Sequence, residues 1–527
     1  MLKSFLASSL LIAPALAATA AQWQNRTIYQ LVTDRFATTD GSSPQCDTSN
    51  RKYCGGTWKG ITNKLDYIQN MGFDAVWISP VVKNIEGETA YGEAFHGYWT
   101  EDITQLNSNF GTADDLKALS KALHDRGMYL MVDVVVNHVA ASSNPPNFGV
   151  YNPFNAQSDF HAENFIQPGD YFNNQTAVEQ GWLGDTNVPL ADLNTEDPNI
   201  VKTWNTWIGG LVQNYSIDGV RIDTVKHVRK DFWPDFAKSA NAFTIGEVLD
   251  NRTTYVSDYT QVIDAVLDYP DWYPLTSGFV STSGNLSALA ETVQQSQSSY
   301  KNGAFGTGSF LENHDQPRLG SQTQDQSLIM NAMAWPFVSD GIPILYYGQE
   351  QGYTGGADPA NREALWLSGY GTDKPLVQHV EALTTARQTA AKANSNFLST
   401  KVQFLTASPS SLVISKPPLV ALLTNQGSQS TPTWSVSNAG FTANEEVWDV
   451  LTCTKYTTDS NGALSVTGSG GKPQILLPTS ALSAAGRSCP SFVTTGKQAS
   501  SATKPASLII SVGAAASAAY VIARLLL

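Results

Sequence analysis

An α/β chain whose main body is a (β/α)8 barrel is predicted by three observations. Eight short apolar runs rich in β-branched residues recur between about 27 and 350, helical patterns separate them, and polar residues collect at their C-terminal ends. Strands alternating with helices form parallel βα units, and eight such units close a barrel. In that architecture the site lies at the C-terminal ends of the strands.

The eight runs are TIYQLVTDRF (27–36), FDAVWISP (73–80), MYLMVDVVVNH (128–138), DGVRID (218–223), AFTIGEV (242–248), DAVLDYP (264–270), GTGSFLENHD (306–315) and GIPILYYGQE (341–350). Helical patterns between them include DDLKALSKALHDRG (114–127) and TWNTWIGGLVQNY (203–215). The barrel is expected over 21–137 and 198–394. The stretch 138–197, rich in Asn, Pro, Gly and aromatics and without a strong period, is read as a small inserted domain after strand 3, because a loop of that length is usually functional. From 395 to 490 apolar and polar residues alternate with Gly, Pro and Ser at turns, which predicts a C-terminal antiparallel β-sandwich.

Both ends carry targeting signals. Residues 1–20 combine Lys3, an apolar stretch and small residues, the pattern of a secretory signal peptide. After a Ser/Thr/Ala/Lys-rich linker (491–506) the chain ends on SLIISVGAAASAAYVIARLLL (507–527), which fits a glycolipid-anchor signal better than a transmembrane helix, since Arg524 lies inside it and no basic tail follows. A secretory route permits disulfides, and local pairing, Cys46–Cys54 and Cys453–Cys489, is expected. Five sequons, at Asn25, Asn174, Asn214, Asn251 and Asn285, fit a glycosylated extracellular protein. A net charge of −14 argues against a nucleic-acid partner.

The charged ends of three runs carry the chemistry: Asp223 in GVRIDTVKH, Glu247 in TIGEVLD and Asp315 in FLENHD. A β-branched run ending on a carboxylate builds a poor core but places an acid at a barrel mouth, and several such acids suit glycosidic bond chemistry. Arg221 precedes Asp223 by two residues, so both side chains point to the same side of a strand. Its charge holds Asp223 ionised, as a nucleophile requires, while the neighbouring Glu247 keeps its proton more readily, as a general acid requires.

With those motifs in hand, the chain resembles the fungal α-amylases of the large α-glucan-active glycosidase family. The resemblance spans about 22–490 and rests on DVVVNH (133–138), GVRIDTVKH (219–227), GEVLD (246–250) and FLENHD (310–315), supported by AFHGYW (94–99), VPLADLN (188–194), GIPILYYGQEQ (341–351) and GGADPANREALWLSG (355–369). It implies Asp223 as nucleophile, Glu247 as acid/base and Asp315 as a sugar-binding third acid. It implies that His138 and His314 bind the reacting glucose and that Tyr98 stacks on it, that His96, Trp99 and Arg221 belong to the substrate-binding set, that Lys226 and His227 face the acceptor side, and that Asp358 and Arg362 lie on the donor side. It implies a structural Ca2+ held by Asn137, Glu179, Asp192 and the His227 carbonyl, all hard oxygen ligands. Arg51, between Cys46 and Cys54, departs from the Gln more usual in this group. Two disulfides common in the group are absent: Ile166 and Gly181 occupy one pair of places and Ser257 half of the other.

The activity implied is endo-acting, retaining hydrolysis of α-1,4-glucans by a monomer. A wall-anchored glucanotransferase shares the mechanism until the intermediate is resolved. A non-catalytic wall protein is disfavoured by the presence of all three acids.

Overall fold

The computed structural model describes residues 18–489. Residues 1–17 of the expected leader, the linker and the apolar tail lie outside them. Among the described residues no helix is long and apolar enough to cross a membrane.

Eight parallel strands close a barrel: β1 (Ile28–Leu31), β2 (Ala75–Ile78), β3 (Tyr129–Val134), β4 (Gly219–Ile222), β5 (Phe243–Gly246), β6 (Ala265–Leu267), β7 (Thr307–Phe310) and β8 (Ile342–Tyr346). Each pairs with the next in sequence and β8 closes on β1. Every strand is shorter than the run that predicts it, because the chain leaves the ladder before the polar residues that end each run. After β1, Thr33–Phe36 turns helical. Asp223, expected on its strand, follows β4, and Glu247 follows β5. The last barrel hydrogen bonds nonetheless belong to these two acids: Asp223 N–H donates to Val134 O (3.0 Å) and Glu247 N–H to Ile222 O (2.9 Å). Their backbones are therefore fixed by the sheet while their side chains stand at its rim.

The two-residue strand period divides the lumen into layers. Ile28, Ala75, Met131, Phe243, Ile245, Ala265, Ile342 and Ile344 belong to one buried apolar cluster. Trp23 joins it, stacked on Phe243 at 5.2 Å with its indole N–H on Asp218 O. Two residues beyond Ile28 and Met131 come Gln30 and Asp133, and Arg221 stands beside Asp133 in the ladder; all three are buried polar groups. The amphipathic helix Ala113–His124, with Thr112 as its N-cap, buries Leu116, Leu119 and Leu123 against the barrel wall.

The long connection after β3 carries a small antiparallel sheet, His138–Ala140 against Pro189–Asp192 against Leu183–Gly184, and the short helices Asp170–Asn173 and Gln175–Gln180. Beyond the barrel, a six-stranded antiparallel sheet (403–478) and a two-stranded one (Thr433–Val436 with Leu464–Thr467) enclose Val413, Leu422, Trp434, Val447 and Leu476. A buried ion pair, Lys416 Nζ to Asp340 Oδ1 at 2.6 Å, ties this domain to the barrel. The disulfides are Cys46–Cys54 and Cys453–Cys489, and Asn25, Asn174, Asn214, Asn251 and Asn285 are all exposed.

Candidate active site

Arg221 organises the barrel mouth. Its neighbour in the ladder on β3 is Asp133. From this buried position Nη1 donates to Asp133 Oδ1 (2.9 Å) and Oδ2 (3.0 Å) and to Asp223 Oδ1 (2.8 Å), and Nη2 donates to Glu247 Oε2 (2.9 Å). One guanidinium thus serves three carboxyls. Three anions around one cation, all shielded from water, disfavour full ionisation of the set. Burial pushes the Glu247 carboxyl up to about 8; Asp223 and Asp315 add to the rise and Arg221 opposes it. Burial raises the Asp133 carboxyl to about 7 as well, so both hold a proton near neutrality, Glu247 the more strongly.

Asp133 was not singled out from the sequence, although it opens the quoted DVVVNH motif. Trp77 Nε1–H (3.1 Å) and the Tyr98 hydroxyl (2.8 Å) also donate to it. It anchors Arg221 from behind, and the signal for it was the same two-residue strand period that pairs Arg221 with Asp223.

Asp315 lies five residues past β7, and a third of its side chain is exposed. His314 Nε2 is 3.4 Å from its Oδ2 and Arg362 Nη2 is 3.6 Å from its Oδ1. The Gln30 amide meets His314 Nδ1 at 2.9 Å, and Tyr98 stacks on the His314 ring at 4.9 Å. His96 accepts from the Tyr98 backbone N–H at 3.0 Å and packs edge-on against Trp99. Burial holds His96, His138 and His314 below their ordinary range, so all three are neutral hydrogen-bonding groups.

Two flanks leave this centre. From Asp315 a chain of ion pairs runs through Arg362 to Asp358 (2.9 Å) and on to Arg51 (3.5 Å). Arg51 sits in the Cys46–Cys54 loop with φ of 49°, and Gly92 lies so close that a Cβ there would stand 2.5 Å from the Arg51 carbonyl oxygen. From Glu247 the other flank runs to Lys226, whose Nζ donates to Leu249 O (2.6 Å) and lies 4.4 Å over the Tyr171 ring. The Tyr171 hydroxyl reaches His227 Nε2 at 3.3 Å.

The expected metal ligands fall in two linked pairs. Asp192 is the ladder partner of His138, next to Asn137, and the helix bearing Glu179 meets the 225–227 turn through Gln175 Nε2 on Lys226 O (3.4 Å). Asn137 Oδ1 and Asp192 Oδ1 are buried without a hydrogen-bond partner, while His161 takes the other Asp192 oxygen at 2.6 Å. Two buried, unpartnered hard oxygens, one from an amide and one from a carboxylate, fit a calcium-like cation. Among the described residues no group of three or more His, Cys, Asp or Glu is gathered for a metal; the expected set holds only two carboxylates, an amide and a carbonyl.

Comparison with known proteins decides the family. The α-amylase catalytic-domain family matches residues 30–463. This chain belongs to the α-amylase family. It is 45% identical over 472 residues to α-amylase 1 of Schwanniomyces occidentalis, covering 88% of this chain and 91% of that one. It is 47% identical to α-amylase 1 of Lipomyces kononenkoae, covering 89% of this chain and 76% of that one. The solved α-amylase of Malbranchea cinnamomea superposes with a TM-score of 0.86 at 42% identity, over 89% of this chain and 99% of that one. The chain is a glycoside hydrolase built as the barrel and C-terminal sheet domain predicted from its sequence.

Proposed function

We propose that this family member is an endo-acting, retaining α-amylase that hydrolyses α-1,4-glucosidic bonds of starch-like glucans through a covalent glucosyl-enzyme. The observation that carries the reading is the single Arg221 guanidinium shared by Asp223 and Glu247, which keeps the two carboxyls side by side, as a retaining pair requires. The Asp223 carboxylate attacks the anomeric carbon while Glu247 gives its proton to the departing glucosidic oxygen. Glu247, now ionised, takes a proton from water, the resulting hydroxyl displaces Asp223, and the sugar leaves with its original configuration. Asp315, His138 and His314 bind hydroxyls of the reacting glucose; Arg362 and Asp358 hold the donor chain, and Lys226 and His227 the leaving chain.

Calcium is proposed at Asn137, Glu179, Asp192 and the His227 carbonyl. It would fasten the inserted domain to the barrel beside Lys226 and take no part in the chemistry. Export through the secretory route, attachment at the cell surface by a glycolipid and action as a monomer belong to the same proposal; the leader-like pattern of 1–20 and the apolar run 507–527 support the first two.

A second reading is favoured by the apolar tail at 507–527, which would retain the enzyme at the wall. There another glucan chain, instead of water, would resolve the intermediate. Incubating the enzyme with maltoheptaose separates the two: products all shorter than the substrate, with reducing ends rising steadily, are expected. Longer products appearing early, with few new reducing ends, would replace hydrolysis by transfer.

A further inference from the structure

Asn25, the first of the five sequon asparagines, is exposed and borders a groove of about 310 Å³. Thr27 and Asp74, which stand just before β1 and β2, line this groove together with Gln388 and Lys392 of the helix Pro375–Ala393. It therefore lies at the N-terminal ends of the strands, on the face opposite the catalytic mouth. A neighbouring groove of about 440 Å³ shares Gln388 and Lys392 and is bordered by Ala485, Gly486 and Arg487, at the end of the C-terminal domain.

The asparagine stands on a rigid base. It follows the turn Ala20–Trp23, whose N-cap Thr19 exchanges hydrogen bonds with Gln22 and whose Trp23 indole is bonded to Asp218 O. Asn25 N–H donates to Gln22 O at 3.3 Å and Arg26 N–H to Trp23 O at 2.9 Å. Arg26 Nη1 donates to Gly127 O at 2.9 Å, its guanidinium lies 3.6 Å over the Tyr129 ring, and Thr27 N–H donates to Asp74 Oδ1 at 2.7 Å. A group attached to Asn25 would start from a fixed point at the groove's edge.

The groove has the chemistry of a sugar seat. Ala391 and Leu398 add apolar surface to its polar wall. Gln388 Nε2 donates to Gly72 O at 3.0 Å and Lys392 Nζ to Ala485 O at 3.0 Å. An amide carries a second N–H and an ammonium two more, so both side chains can also serve a ligand. An N-acetylhexosamine matches this lining, with a methyl group for the apolar patch and hydroxyl and amide groups for the donors. Intrinsic affinity need not be high, because a tethered ligand meets its seat at millimolar effective concentration.

We propose that Asn25 carries an N-linked glycan whose inner N-acetylhexosamine units lie in this groove. The glycan straps the N-terminal segment to the helix Pro375–Ala393 and, through the neighbouring groove, to 485–487. In the attachment step the Asn25 side-chain nitrogen bonds to the anomeric carbon of a lipid-pyrophosphate-linked oligosaccharide. The nitrogen loses one proton, and the lipid pyrophosphate leaves with the electrons of the broken C–O bond. The proposal rests on the proposed secretory route for its sugar, and not on the reaction at the mouth.

The test uses the full chain, secreted from a yeast under its own leader. The mass of the peptide holding Asn25 is expected to show a glycan. Amide hydrogen exchange at 388–392 and 485–487 should be about three- to tenfold faster in Asn25→Gln, the scale of a single hydrogen bond. Activity on maltoheptaose should not change, since the groove is remote from the mouth. Made in a bacterium that attaches no N-glycan, wild type and Asn25→Gln should exchange alike, which ties the protection to the sugar. A bare Asn25 beside other occupied sequons would overturn the proposal. So would an occupied Asn25 without protection, or a difference that persists in the bacterial pair. A chain bare at all five sequons would reject the secretory route, and the strap with it.

Discussion

The two flanks of the barrel mouth are built from different forces. The Asp315 flank is a line of alternating charges, Asp315–Arg362–Asp358–Arg51, whose far end is pinned by the Cys46–Cys54 disulfide and by close packing on Gly92. The Glu247 flank is aromatic and more open, with Lys226, Tyr171 and Phe172, and no disulfide crosslinks the inserted domain that carries the last two. A charged, crosslinked flank fixes one register of sugar hydroxyls. An aromatic flank tolerates many, because every pyranose has an apolar face. On the proposed reading, the charged flank would hold the donor chain firmly and the aromatic flank would let the leaving chain come and go.

The sharpest way to break the comparison acts where the flanks meet. Glu247→Gln is expected to lower kcat on maltoheptaose by about 10²- to 10⁴-fold, the range of general acid catalysis. The loss of the first chemical step on 4-nitrophenyl maltotrioside should be smaller, because nitrophenolate departs without a proton. Equal losses in single-turnover measurements on the two substrates would remove Glu247 from the acid role.

Chelation and reduction should separate the flanks. If a cation replaces the missing crosslink, EDTA lowers the melting temperature by several degrees; a metal at a hundred times its Kd stabilises by about 2.7 kcal/mol. Added Ca2+ restores it, and Asp192→Asn removes the response. Mild reductant should act on the Arg51 loop and on the C-terminal domain, where the two disulfides lie, leaving the calcium response intact in differential scanning calorimetry.

The pH profile sharpens the role of the centre. Glu247 must be protonated to act as acid, and its carboxyl is raised to about 8, so kcat/KM should fall as pH rises through that value. Asp315 is one of the negative charges that raise it. Removing that charge makes proton loss easier, so the residual activity of Asp315→Asn should lose its alkaline limb at lower pH than the wild type. A limb that does not move would mean that another group sets it.

The smallest effect is expected at the donor edge. Arg51→Gln cuts the partly exposed pair with Asp358, worth about 0.2–1 kcal/mol. KM for maltooligosaccharides should change by about fivefold at most, with kcat unchanged. A fall in kcat would show that the charge line reaches the catalytic centre through Arg362.

The sequence by itself determined the barrel, its sandwich partner and the three acids. Eight β-branched runs between helical patterns leave few other closed arrangements, and an acid at the end of such a run has nowhere to go but the rim. The disulfide pairs were legible too, since short spacing favours local closure. Tertiary structure alone decided what surrounds those acids. Asp133 and Arg221 are far apart in sequence and meet because β3 and β4 are ladder neighbours, so the sharing of one guanidinium among three carboxyls had no local signature. The strand ends were misjudged for a related reason: local pattern marks where apolar residues stop, whereas the ladder stops where the chain must turn over the mouth. Arg51 on Asp358 and Arg252 behind Phe172 likewise depend on loops brought together by the fold. Burial of apolar surface is written into the order of residues; the pairing of charges is settled only when folding removes the water between them.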